Sequence, residues 1–426
     1  MRKRFLLAVL LCAGAVATGA RAGEPPAATE RLTFQQAVDR AVKQNPSVQQ
    51  AASEILRAQA LLQQARAATL PSVSGTVTNS TLNTGVSFNG ITAQPQNQTT
   101  LSVGLSALLY APVAWAEKTQ AADNERVAEL SDAEVKRQIA VATAQTYLAV
   151  IARRRVYEAD VRARDTAKAH YELARTQLQA GAGSKLNELR AQQALSADEV
   201  LIEQSAMEVY QAQEALGVLV AADHAVDTDG EPTLDTPASI QAAQAAMPAT
   251  RADLRLAIAR VQAATRVYDD SWKDRLPSVS ALFTPQDIEP ASAFQRARSW
   301  RLTIEGSIPI FDGGLRSAQK AQRLALLDEQ KTQDRADLRQ AQSDVRTAEA
   351  AVQSAEQALA SARAAADQAR QVVQIVNLSF RAGASTNIEV IDAQRASLDA
   401  DTAAAQAEDQ VRETKLSLLV ALGLFP

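Results

Sequence analysis

Three stretches of the sequence hold residue types that could do chemistry. Gly181-Ala182-Gly183-Ser184-Lys185 brings two glycines, a hydroxyl and an amine together, the ingredients of a loop whose backbone N–H groups cradle a phosphate while lysine neutralises it. The lysine follows the serine, the upstream glycine is missing, and a long helical run rather than a strand leads in, so the phosphate reading is weak. His170 and His224 are the only histidines and lie far apart; they predict two surface residues rather than a metal site. Pro309-Ile310-Phe311-Asp312-Gly313-Gly314 offers one carboxylate among turn formers and reads as a strand-to-helix corner. No nucleophile–base pair stands out. Neither an enzyme nor a cofactor or metal is expected.

The elements that would have to position such residues are unusual. Aromatic residues make up only 4% of the 426 residues, while alanine and glutamine dominate, a composition suited to elongated helices that meet through small side chains. The first 22 residues read as a secretory signal peptide: Arg2, Lys3 and Arg4, an apolar run from Phe5 to about Thr18, and an Ala20-Arg21-Ala22 cleavage site. Cys12, the only cysteine, would leave with this leader, so disulfides are not expected. A lipid anchor on Cys12 is the alternative, although Leu11 stands where such sites want a small residue. The net charge of −4 becomes more negative when four leader cations are removed, which makes nucleic acid an unsuitable partner. Past the leader, no run of about 18 apolar residues offers a membrane helix. Entry into a membrane would require strands.

Punctuation sets the organisation. Neither glycine nor proline occurs between Pro112 and Gly181, or between Gly314 and Gly383; each run predicts a helix about 100 Å long. In the second, Val352, Ala355, Leu359, Ala362, Ala366, Ala369, Val373, Val376 and Phe380 step by three and four, the seam of a coiled coil. In the first, Ala152, Val156, Ala159 and Ala163 keep the register, and His170 and Gln177 interrupt it. A short glycine turn follows each run, at residues 181–184 and 383–386, and then a further helix, so each half holds an antiparallel helical hairpin. The pentapeptide Leu-Pro-Ser-Val-Ser occurs at Leu70–Ser74 and again at Leu276–Ser280, and the same offset sets Thr33-Phe34 opposite Ser239-Ile240. The chain is thus two repeats, residues 23–222 and 239–426, joined by a connecting segment at 223–238.

After each pentapeptide comes alternation of period two. Strands are expected at about 71–82 and 99–110, and at about 277–284 and 299–310. Ser72, Ser74, Thr76 and Thr78 alternate with Val73, Gly75 and Val77; Trp300, Leu302 and Ile304 alternate with Arg301, Thr303 and Glu305. Nothing globular in the chain would cover the apolar faces, so lipid is the expected partner. Four strands cannot close a membrane barrel, which needs about eight or more, and an open edge in lipid leaves amides unpaired. Three copies would supply twelve strands. Tyr110, Trp115, Trp272 and Phe311 flank the helix-side strand ends and Trp300 the loop side, as in an interfacial belt.

The entry pattern Leu32–Val48, the twin pentapeptides, the strand exit Ser307–Ala321 and the turn segment Phe380–Arg395 together resemble the TolC-like outer membrane efflux family (outer membrane factors), over about Leu32 to Gly423. That resemblance implies a mostly α fold with a transmembrane β part: a homotrimer with a 12-stranded barrel in the outer membrane and an α-helical periplasmic tunnel. It implies a passive exit duct of a tripartite efflux pump or type I secretion system, working with a periplasmic adaptor and an inner-membrane pump. In the family two acids just past the second turn project into the tunnel entrance, and the matching positions are Glu389 and Asp392; the first-half equivalents, Asn187 and Arg190, carry no such pair. The resemblance also makes adaptor-docking tips of Gly181, Ala182, Gly183 and Ser184 with Gly383, Ala384, Ser385 and Thr386. Ser385 stands where the family often has a bulkier basic residue that holds the entrance closed. The alternative is a soluble periplasmic coiled-coil adaptor or scaffold, which has no reason to duplicate two alternating hairpins.

Overall fold

The computed structural model describes residues 30–237 and 239–425; the leader, with its cleavage site and Cys12, lies outside them. The first half runs β1 (Glu30–Leu32), α1 (Phe34–Gln44), α2 (Pro46–Ala67), β2 (Ser72–Thr81), β3 (Val86–Phe88), β4 (Ile91–Gln94), β5 (Asn97–Tyr110), α3 (Pro112–Gln179) and α4 (Lys185–Leu219). After β6 (Val226–Thr228) the second half runs α5 (Ile240–Thr250), α6 (Ala252–Asp269), β7 (Ser278–Glu289), β8 (Arg298–Ser307), α7 (Leu315–Arg381) and α8 (Asn387–Ala421).

Helices α3 and α7 contain 68 and 67 residues, each about 100 Å long at 1.5 Å per residue. Each folds back on the 35-residue helix that follows it, and α8 also packs along α3, uniting the two hairpins. All nine seam residues from Val352 to Phe380 are buried or half-buried, with mostly exposed residues between them. In α3 the histidine does not interrupt the seam. Ala167, His170 and Ala174 are all buried, which corrects the expectation of a surface His170: its ring occupies a seam position because α8 packs against α3 there. His224 is half exposed, 3.5 Å from Glu30.

The repeat shows in how the helix ends are satisfied. Asn45 caps α2 through Ser47 and donates its side-chain amide to the Leu219 carbonyl near the end of α4 (3.0 Å). Its counterpart Arg251 donates to the Ala421 carbonyl at the end of α8 (3.0 Å). Different side chains at matching positions thus meet the same need for donors at orphan carbonyls. Around this level lie the largest buried clusters, one built on Leu32, Tyr147, Leu216 and Val226, the other on Met247, Val345, Leu418 and Leu422. The parallel ribbon of β1 and β6 belongs to this belt, and the buried Tyr147 hydroxyl sits 3.0–3.2 Å from the carbonyls of Leu32, Asp229 and Gly230.

The four long strands form one antiparallel sheet of order β2-β5-β7-β8; the two hairpins join through the β5–β7 pair. Strand β7 continues to Glu289, past its expected end near residue 284. Proline removes one donor, and the β5 ladder records no pair at Thr284 or Pro285, while Pro285 still lies opposite Trp300. Strand β8 stops at Ser307, short of Ile310, because Pro309 cannot continue the ladder. The loop after β2 folds into the small β3–β4 hairpin about Asn89 and Gly90, both with positive φ, the turn that an Asn-Gly pair favours.

Candidate functional site

Register makes the long sheet two-faced. Val73 lies opposite Leu105, Leu105 opposite Phe283 and Phe283 opposite Leu302; Val77 lies opposite Leu101, and Ala281 opposite Ile304. These form one apolar surface across four strands. It is bare: Val77 is 70% exposed and Ile304 65%. The opposite face carries Ser72, Ser74, Thr76, Thr78, Thr100, Ser102 and Ser106, with Ser72 and Ser106 hydroxyls 2.7 Å apart. At the helix-side end Tyr110 and Trp115 meet edge to face at 5.6 Å, and Phe311 is 89% exposed. Strands β2 and β8 have no partner on their outer edges among the described residues. Among those residues no helix is long and apolar enough to cross a membrane.

At the other end of the long helices lie the two turns. Gly181 and Gly383 take φ of 74° and 77°, the left-handed conformation that ends a helix. Ala182 donates to the Gln177 carbonyl and Ala384 to the Ser379 carbonyl, each at 2.8 Å. The first turn is tighter, since the Gly183 amide also donates to Gln177 (2.9 Å) and a Cβ there would meet the Leu178 nitrogen at 2.9 Å. The matching Ser385 keeps its side chain. Ser184 caps α4 through Asn187, Thr386 caps α8 through Glu389, and Lys185 is paired with Glu188. The amides of Gly181, Ala182, Gly183 and Asn187 are therefore engaged within the turn. Asp312, at the other glycine pair, accepts from the Arg316 guanidinium (2.6 Å) and from the amides of Arg316 and Gly314; these bonds hold its pKa at about 2.

Glu389 and Asp392 lie on the exposed side of the first turns of α8. The Glu389 carboxylate accepts from the Thr386 amide at 2.8 Å, completing a capping box, so its position is fixed by the turn. Just behind it the structure places a residue set that sequence reasoning missed. His170 of α3, buried and set edge-on to Phe380 of α7 at 5.4 Å, shares a hydrogen bond of 2.7 Å with Asn387 of α8. Asn387 also reaches the Asn187 carbonyl of α4 at 3.4 Å. All four helices meet here. Burial lowers the pKa of His170, and its Nδ1 has no partner among the described residues. His170 stands two helical turns beyond Ala163 on the same seam, between the buried Ala167 and Ala174, so the seam itself carries the signal of its burial.

A second charged set lies higher, where α3, α8 and the connecting segment meet. Arg155 and Arg412 both bind Asp409 at 3.0 Å and both pair with Glu231; Glu408 lies at 3.2 Å from Arg412. Burial pushes the Asp409 pKa up to about 6, the arginines pull the other way, and Glu408 and Glu231 add to the rise. Its Oδ2 is buried without a partner among the described residues. No group of three or more metal-ligating side chains occurs among those residues.

A sheet apolar on its bare face and polar on the other, fused to helical hairpins of such length, is the build of a membrane-inserted channel protomer. The chain belongs to the outer membrane efflux protein family, whose profile matches residues 37–222 and 241–424. It is an outer-membrane efflux channel component, and the soluble adaptor reading finds no support. Similar solved structures are the Campylobacter jejuni CmeC outer membrane channel (16% identity, 92% of this chain and 85% of that one, TM-score 0.78), the outer membrane protein VceC of Vibrio cholerae (19%, 92% and 96%, 0.77), and the open state of the Neisseria gonorrhoeae MtrE outer membrane channel (19%, 92% and 88%, 0.77). At these identities the likeness is one of fold. No curated protein matches the chain in sequence.

Proposed function

We propose that three copies close into a twelve-stranded barrel continued by a helical tunnel, and that this ring is the passive exit duct of a tripartite efflux or secretion assembly. The observation that carries the reading is the pairing of two unpartnered sheet edges with a continuous bare apolar face. An edge left open in hydrocarbon costs several kcal/mol for each unsatisfied backbone group, so β8 of one copy pairs with β2 of the next. The two repeats, 23–222 and 239–426, then supply two strands and one hairpin each, and residues 223–238 link them at the equator.

In this arrangement the tips at Gly181, Ala182, Gly183 and Ser184, and at Gly383, Ala384, Ser385 and Thr386, dock on a periplasmic adaptor that joins the duct to an inner-membrane pump. Glu389 and Asp392 of three copies form two stacked anionic rings at the tunnel entrance. The capping box at Thr386 supports this, because it fixes Glu389 relative to the tip. Purified protein added to a planar bilayer should give discrete conductance steps. A preparation that inserts without conducting would remove the duct reading.

A further inference from the structure

The polar face of the long sheet is almost free of charge. From the helix end to the loop end, β2, β5 and β7 contribute serine, threonine, glutamine, glycine, Leu108, Leu282 and Ile288 to it. Only β8 places ionic groups there: Glu305 opposite Ser280, and Arg301 opposite Thr284. Both are exposed, and neither is in an ion pair among the described residues. The one ion pair of the sheet among those residues, Arg298 with Asp287 at 3.2 Å, belongs to the other face at the loop end. A lone charge on an otherwise neutral wall is a feature that packing does not require. Its cost would fall on the lipid side, where the register forbids it from pointing.

We infer that Arg301 and Glu305 set the charge selectivity of the barrel lumen, as a cationic ring and an anionic ring stacked along the exit path. The inference rests on the trimeric barrel proposed above. With three copies, each ring holds three side chains, and because β8 is the edge strand every one of them stands at a seam, facing the serine and threonine hydroxyls of the next copy's β2. Four residues of strand separate the rings by about 13 Å, beyond the Debye length of about 10 Å at 0.1 M salt, so the two act as separate stations instead of cancelling. Strand β8 leads through Ser307 to the helices, and a departing solute therefore passes Glu305 before Arg301. The guanidinium is the last charged group on the polar wall of the sheet. Its planar fork suits carboxylate and phosphate groups, which makes anionic solutes the class it retains.

The test is the reversal potential of the purified full-length channel in planar bilayers under a potassium chloride gradient. Arg301→Gln should raise the cation-to-anion permeability ratio, and Glu305→Gln should lower it, each by about twofold near 0.1 M salt, the effect fading towards 1 M where screening shortens to about 3 Å. Arg301→Cys provides a thiol in a mature chain expected to have none; a cationic methanethiosulfonate reagent should return the ratio to its starting value and an anionic one should drive it further away. Conducting channels whose ratio is the same in all variants and after both reagents would overturn the charge rings and leave the duct reading standing. Wild-type protein that never conducts would overturn the duct reading, and the rings with it.

Discussion

Asp409 offers a prediction whose size the structure sets. Its carboxylate is buried between two arginines that also serve Glu231 and Glu408, and Glu408 has a further partner in Arg363. The pKa rises from an ordinary 3.8 to about 6. A carboxyl whose folded pKa is raised is held as an anion at a cost above that pKa, and the cost is relieved as pH falls through 6. Linkage over those two values gives a gain of about 1.4 kcal/mol on going from pH 7.5 to pH 5. Asp409→Asn keeps the shape and one acceptor for the arginines but has no proton to take up. The unfolding free energy of each protein, measured in detergent by denaturant titration of helical circular dichroism at both pH values, should show the wild type gaining about 1.4 kcal/mol on the variant at pH 5. Titrating groups outside this cluster, His170 among them, are common to both chains and cancel. A wild type that instead loses ground to Asp409→Asn as the pH falls would show that the arginines outweigh burial, and would refute the reasoning.

Further outcomes can be checked separately. Glu389→Gln with Asp392→Asn should lower the channel's cation preference without loosening α8, since glutamine also serves in a capping box; unchanged selectivity would remove the entrance rings. A charged residue at Ile304 should harm assembly far more than one at Thr303, by about 2–4 kcal/mol for lysine or arginine at mid-bilayer depth, read as the yield of heat-resistant oligomer. The lowered pKa of His170 means that its neutral form is favoured in the folded tip, so that contribution is present above the unfolded value of 6.5 and is lost as pH falls below it. Hydrogen exchange at the hairpin tips, corrected for intrinsic rates, should therefore quicken at pH 5.5 relative to pH 7.5 in the wild type, and not in His170→Gln.

Much of this architecture was legible in residue spacing. Long spans without glycine or proline, bounded by Gly181 and Gly383, admit little but helix, and the seam from Val352 to Phe380 names its buried face residue by residue. The twin pentapeptides place a proline immediately before the strand starts at Ser72 and Ser278. Where the sequence was silent, the reason is physical. Pairing of β5 with β7 joins strands far apart in the chain, and local alternation carries no information about such neighbours. The three-residue β1 and β6 are too short to show a period. Strand β7 outruns its expected end near residue 284 because a strand can lose one donor, here at Pro285, on one side and continue on the other. His170 misled because its polar type reads as a break in the seam, whereas a helix of the other repeat buries it there. The entrance pair Glu389 and Asp392 was identifiable only by resemblance; nothing in their spacing separates them from any exposed helical acids.

The most direct test of the account is the number of chains in the detergent-solubilised particle, counted by native mass spectrometry on protein that conducts in the bilayer assay. Closure of four-stranded sheets into a twelve-stranded wall predicts three chains and no smaller conducting species. A conducting particle of one or two chains would contradict it.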